Sequence, residues 1–130
     1  SGAHSFAHGV LRAVKIIFVG ADYSWNPVED GSGQFYANGA HKKLADERQK
    51  ENIFGFASRR NGVPLNTNFS MFSFKKWHED IAKVHGTVCV NATEGGILGV
   101  GGKGEDLPGW EFMPLKEAIN TYAPPAEASA

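Results

Sequence analysis

A single cysteine, Cys89, stands in a chain of 130 residues. That excludes an internal disulfide framework and any zinc site built on cysteines. No apolar run approaches the ~20 residues that span a bilayer, and no charged start leads into an apolar stretch of the signal-peptide kind. An excess of charge is missing too: 13 Lys and Arg against 14 Asp and Glu leave a net charge of -1. Neither a polybasic nucleic-acid footprint nor an electrostatic membrane anchor fits that balance. Internal repeats are absent as well. The expectation is a cytoplasmic protein of a reducing compartment, with neither nucleic acid nor membrane as a partner.

What is present suits one folded domain. The hydrophobic fraction of 42% argues against disorder. The length is enough for folding to bury roughly two-thirds of the unfolded surface. We expect a single domain over residues 1–122 and a flexible tail over 123–130, where Pro124 and Pro125 lie among small residues. Sixteen glycines are nearly twice the average share of about 7%. They are clustered, and the clusters carry most of the functional signal.

Local patterns place the elements. Phe6, Val10, Leu11 and Val14 recur at helical spacing, which predicts a helix over about 3–13. Lys15 to Val19 is a short β-branched run stopped by Gly20, as expected of a strand buried on both faces. Loop composition follows, from Asp22 to Ala40, then a charged stretch from His41 to Asn52. Asn61-Gly62, between Ile53–Phe56 and Val63–Leu65, predicts an antiparallel hairpin. From Asn68 to His85 the spacing predicts a long helix with Phe74, Trp77, Ile81 and Val84 as its apolar stripe. Lys75, Lys76, Glu79, Asp80 and Lys83 then face water, and Gly86 stops the helix. Thr87 to Val90 reads as a second buried strand, and Pro114 to Tyr122 as a last short helix.

Two buried strands, each fed by a helix, are expected to lie parallel in one α/β sheet. Ligands of such sheets bind beyond the strands' carboxyl ends. The first strand ends in Gly20-Ala21-Asp22 and the second in Asn91-Ala92-Thr93-Glu94-Gly95-Gly96. Parallel strands would gather Asp22, Asn91, Thr93 and Glu94 on one rim, and the Ser1-Gly2 turn offers backbone N–H groups to an anion there. Asp22 also reads as a turn former, and Glu94-Gly95-Gly96 as a tight turn. A carboxylate beside two glycines favours close approach of a ligand.

Other features are weaker. Gly99 to Gly104 satisfies G-x-G-x-x-G but opens no helix, so it reads as a loop or lid rather than a dinucleotide fingerprint. His4 and His8 stand at i,i+4, a pair able to grip a metal only with a third ligand, so no metal site is assigned. His78 reads either as a satisfied histidine at the core's edge or as a catalytic base. Tyr23, Trp25 and Tyr36 either stack on a base or sugar or cover the core. Cys89 reads as a small hydrophobe.

Several of these pieces resemble one family. Ser1-Gly2 before a helix, Ile17-Phe18-Val19-Gly20-Ala21-Asp22-Tyr23, Thr67 before a long helix, Val90-Asn91-Ala92-Thr93-Glu94-Gly95-Gly96 and Pro114-Leu115 are similar to the Maf-type flagellin glycosyltransferases. That family also includes the archaeal hydroxymethyl-dihydropterin diphosphokinases. The resemblance implies a Rossmann-like three-layer α/β sandwich with a mostly parallel sheet, here with the small hairpin added. It implies a nucleotide-dependent transferase that moves either a nonulosonic-acid sugar from a CMP donor to a hydroxyl or diphosphate from ATP to a pterin alcohol. Ser1 and Gly2 would touch the nucleotide, and Asp22, Asn91, Glu94 and Gly95 would line the cleft. Tyr23, Thr67, Thr93 and Gly96 belong to the same motifs, and Asp22 or His78 would take the hydroxyl proton. No tightly bound cofactor is implied, only Mg2+ accompanying a nucleotide. Family members carry further elements upstream, so a homo-oligomer or a partner half is the expected completion, and a non-catalytic module the alternative.

Overall fold

The computed structural model describes residues 2–25, 53–59 and 62–122. Ser1, Tyr36, the loop from position 26, the stretch His41 to Asn52, Arg60, Asn61 and the tail from position 123 lie outside the described residues. In chain order the elements are α1 (Gly2–Gly9), β1 (Lys15–Phe18), β2 (Ile53–Ala57) and β3 (Pro64–Asn68), followed by α2 (Phe69–His85), β4 (Val88–Asn91), β5 (Trp110–Phe112) and α3 (Leu115–Tyr122).

The sheet is parallel, in the order β1-β4-β5. Lys15 to Phe18 pair with Val88 to Asn91, and Cys89 to Asn91 pair with Trp110 to Phe112. Successive side chains of a strand point to opposite faces, and β4 shows the consequence. Cys89 packs with Ala82 of α2, Leu98 and Trp110, whereas Val90 packs with Ala92 and Ala118 of α3. Helices therefore cover both faces. The ring of His4 lies against Phe18, Trp77 and His78, which puts α1 on the α2 side. This is a Rossmann-like α/β sandwich. β2 and β3 form the separate antiparallel hairpin, in register from Ile53↔Asn68 to Ala57↔Pro64.

The caps follow from sequence. Asn68 ends β3 and caps α2, its side-chain oxygen accepting the Met71 N–H at 2.9 Å. Gly86 closes the helix with φ +63, a left-handed conformation that glycine adopts without strain.

Four expectations need correction. α1 ends at Gly9, and Val10, Leu11 and Val14 beyond it are exposed, as is Phe6. Its buried face is His4 and His8, which hydrogen-bonding satisfies. The first strand is only half-buried, because β1 lies at an edge of the sheet whereas β4 is central. β5 was not legible: three residues after a glycine-rich loop carry no period.

The largest correction concerns α2. Phe74 and Val84 of the expected core stripe are 52% and 79% exposed, while Lys75 and Glu79, expected in water, are 2% and 6% exposed. Lys75 donates to both carboxylate oxygens of Glu79 at 2.8 and 2.7 Å and lies over the Phe56 ring. Glu79 also accepts the Gly99 N–H at 3.2 Å. A mutual pair with its remaining valences met is what a buried ion pair requires. On the surface of the same helix, Lys76 pairs with Asp80 at 3.8 Å.

Candidate functional site

The tips of β1 and β4 are tied together by main chain. Phe18 accepts the Ala92 N–H, Asp22 accepts the Ile97 N–H at 2.9 Å, and the Thr93 hydroxyl accepts the Ala21 N–H at 3.1 Å. A parallel pair ending in register makes this possible. The four rim residues Asp22, Asn91, Thr93 and Glu94 thus share one end of the sheet.

A cavity of about 310 Å³ opens beside Asn91 and Glu94, while Asp22 and Thr93 stand outside its lining. Asn91, Glu94, Gly95 and Gly96 form its floor, Phe112, Met113 and Pro114 one wall, and Ser58, Arg59 and Leu65 of the hairpin the other. It lies beyond the carboxyl ends of β4 and β5, where parallel α/β sheets bind ligands. The volume falls at the small end of the range for small-molecule pockets.

The floor residues differ in what they offer. Asn91 is 2% exposed. Its oxygen accepts the Thr93 N–H and its amide donates to the Leu98 carbonyl, both at 2.9 Å. It shapes the turn, and its polar atoms are already engaged. Glu94 is exposed and sits at φ +66, a left-handed conformation uncommon for a residue with a side chain. At Gly96, φ is +74 and an added Cβ would lie 2.4 Å from the Asp22 carbonyl oxygen. The close approach that the two glycines permit is made here by the chain's own β1 tip. Asp22 is exposed overall, yet its carboxylate comes within 3.7 Å of where a Cβ on Gly95 would stand. Partial burial pushes its pKa above the ordinary carboxylate value.

The remaining candidates form a layer behind the rim. Thr67 is fully buried and donates to the Tyr23 carbonyl at 2.8 Å. Trp25 pairs with Asn66 through two main-chain hydrogen bonds of 2.9 Å, so the hairpin docks on the segment after β1. Tyr23 adopts φ +53 and turns its hydroxyl to His78 Nε2 at 2.8 Å. His78 Nδ1 meets His4 at 2.6 Å, so both ring nitrogens are engaged, and the residue does not line the cavity. Burial lowers its pKa to about 4. Gly2 is exposed at the start of α1, outside the cavity lining.

Cys89 has no exposed surface, and burial raises its thiol to about 11, so no thiolate forms at neutral pH. The Gly99–Gly104 loop is folded on itself by its own main chain. Leu107 N–H donates to Gly99, Gly101 N–H to Glu105 and Gly104 N–H to Gly101, and Val100 is buried. A Cβ on Gly99 would strike the Trp110 ring at 2.7 Å, which accounts for that glycine. Among the described residues no group of three or more His, Cys, Asp or Glu is arranged to hold a metal ion. Nor is any described helix long and apolar enough to cross a membrane.

Arg59 was not legible as a site residue. Its guanidinium lies 4.3 Å from the Phe112 ring centroid and is held by both Asp106 oxygens, at 2.5 and 3.0 Å. The bond to Asp106 raises the Arg59 pKa, and the same bond lowers that of Asp106. Only the neighbouring Arg60 hinted at charge here, because the pairing of Arg59 with β5 is tertiary. The fold and the cavity together define an α/β domain with a candidate pocket at the parallel strand ends. Set against family models, curated proteins and solved structures, the chain matches none.

Proposed function

We propose that the chain is the Rossmann-like domain of a nucleotide-dependent transferase, passing a sugar from a CMP donor to a hydroxyl acceptor. The observation that carries this reading is the 310 Å³ cavity beyond β4 and β5. It pairs an exposed carboxylate, Glu94, with a cation, Arg59, over an apolar wall. That combination suits a ligand with hydroxyl donors at one end and a phosphate at the other. The motifs around Asp22 and Glu94-Gly95-Gly96 add the family resemblance.

In the proposed reaction the acceptor oxygen attacks the anomeric carbon. The bond from that carbon to the phosphate oxygen breaks, and CMP departs with the electron pair. Asp22 takes the hydroxyl proton, a role that a carboxylate of raised pKa serves better than an ordinary one. Arg59 exchanges Asp106 for the departing phosphate, because a guanidinium fork matches either anion. His78, with both nitrogens engaged, supports Tyr23 and leaves proton removal to Asp22.

Calorimetric titration with CMP, and with ATP in the presence and absence of Mg2+, tests the reading. CMP binding that weakens at least tenfold in Arg59→Ala supports it. ATP binding that requires Mg2+, without CMP binding, replaces it with diphosphate transfer. Binding of neither nucleotide leaves a non-catalytic module.

A further inference from the structure

Behind the rim, five side chains from four segments form one unbroken file of hydrogen bonds. The Tyr23 hydroxyl meets His78 Nε2 at 2.8 Å, and His78 Nδ1 meets His4 Nδ1 at 2.6 Å. His4 Nε2 meets His8 Nε2 at 2.7 Å, and His8 Nδ1 meets the Thr87 hydroxyl at 3.0 Å. The three imidazoles are each under one-tenth exposed: 4% for His4, 6% for His8 and 4% for His78. The ligand site described above makes no use of the file.

We propose that Tyr23, His78, His4, His8 and Thr87 form a single proton-binding site that is filled by one added proton. The reasoning is a count of hydrogens. Four hydrogen bonds need one hydrogen each. Neutral imidazoles supply one ring N–H apiece and each hydroxyl supplies one O–H. The neutral file therefore holds five hydrogens for four bonds, and one terminal hydroxyl must turn its hydrogen outward. One more proton gives four ring N–H groups. Both hydroxyls then act as acceptors, and every bond still has its hydrogen. The charge is shared along the file without breaking a contact. A second proton has no vacant bond to enter and sets two N–H groups face to face across 2.6 or 2.7 Å.

The surroundings set where that proton enters. His8 stacks on His85 at 4.4 Å, and the Phe18 and Trp77 rings pack against His4. His78, His8 and His85 each oppose added positive charge at His4. Burial is the largest influence and lowers all three imidazoles, His4 and His78 to about 4. The file is neutral at pH 7 and fills in acid. Filling fixes the Tyr23 hydroxyl as an acceptor from His78 Nε2.

Histidine NMR titration of the whole chain, from pH 7.5 down to the onset of unfolding, reads this directly. His4, His8 and His78 should shift together in one transition worth one proton. Thr87→Val strands a ring N–H at the far end. It should lower the midpoint sensed at His78 by roughly one pH unit, with Thr87→Ser restoring it. Three separate transitions, uptake of two or more protons by these three rings in the folded protein, or a Thr87→Val effect confined to His8 would each overturn the proposal. The wild-type titration decides the question even if a variant does not fold.

Discussion

Gly96 and Glu94 both occupy left-handed backbone, at φ +74 and +66, but the reasons differ. At Gly96 the Asp22 main chain fills the space where a side chain would go. Gly96→Ala should therefore cost about 2 kcal/mol or more, combining left-handed strain with a backbone clash. At Glu94 the side chain is exposed and the strain buys nothing visible in packing. Glu94→Gly should leave stability within about 0.5 kcal/mol of the parent, because relief of strain offsets glycine's extra chain entropy. It should also abolish CMP binding. Chemical denaturation and calorimetry on the two variants separate the roles. If Glu94→Gly binds CMP as well as the parent, Glu94 is only a turn residue. The motif was legible as a carboxylate beside two glycines. That the second glycine serves Asp22 was not, since it depends on which strand tip packs above it.

Among the elements, α2 shows most clearly what a periodic pattern leaves open. Phe74, Trp77, Ile81 and Val84 recur at helical spacing, but so do Lys75, Glu79 and Ala82. Spacing finds a helix without saying which stripe turns inward, and hydrophobicity favoured a stripe of which Phe74 and Val84 are exposed and Trp77 and Ile81 only half-buried. The deciding partners lie elsewhere in the chain: the Gly99 N–H for Glu79 and the Phe56 ring for Lys75. Removing one member of the pair should be far worse than neutralising both. Lys75→Met leaves a buried carboxylate unpaired and should cost roughly 3–5 kcal/mol. Adding Glu79→Gln removes the charge and keeps an acceptor for Gly99, and should recover most of that loss. Equal destabilisation of the single and double variants would show that Lys75 acts by filling space. β4, by contrast, was readable from its apolar run alone, because a central strand is buried on both faces whatever its partners.

For the molecule as a whole, the parallel pairing of β1 with β4 was implied by composition and order, because few topologies connect helix-fed strands. The file of histidines was not, since it joins α1, the segment after β1, α2 and the residue before β4 through contacts up to 79 residues apart. Those contacts make stability a function of pH. His4 and His78 fall from the ordinary 6.5 to about 4 on folding, and His8 moves the same way. Above pH 6.5 the imidazoles are neutral in folded and unfolded chains alike, and their contribution to stability is fully present. Between 6.5 and 4 the unfolded chain binds protons that the folded chain takes up poorly, so stability falls as the solution is acidified. Near pH 5 the unfolded chain carries close to three protons on these residues, and the folded file accepts at most one. The dependence of unfolding free energy on pH should then correspond to about two protons or more. Urea unfolding at half-unit steps from pH 7 to 4.5 measures that number, with His4→Gln/His8→Gln/His78→Gln as the reference that removes it. A parent and a triple variant with the same pH dependence would mean that the three imidazoles titrate in the fold as freely as in water.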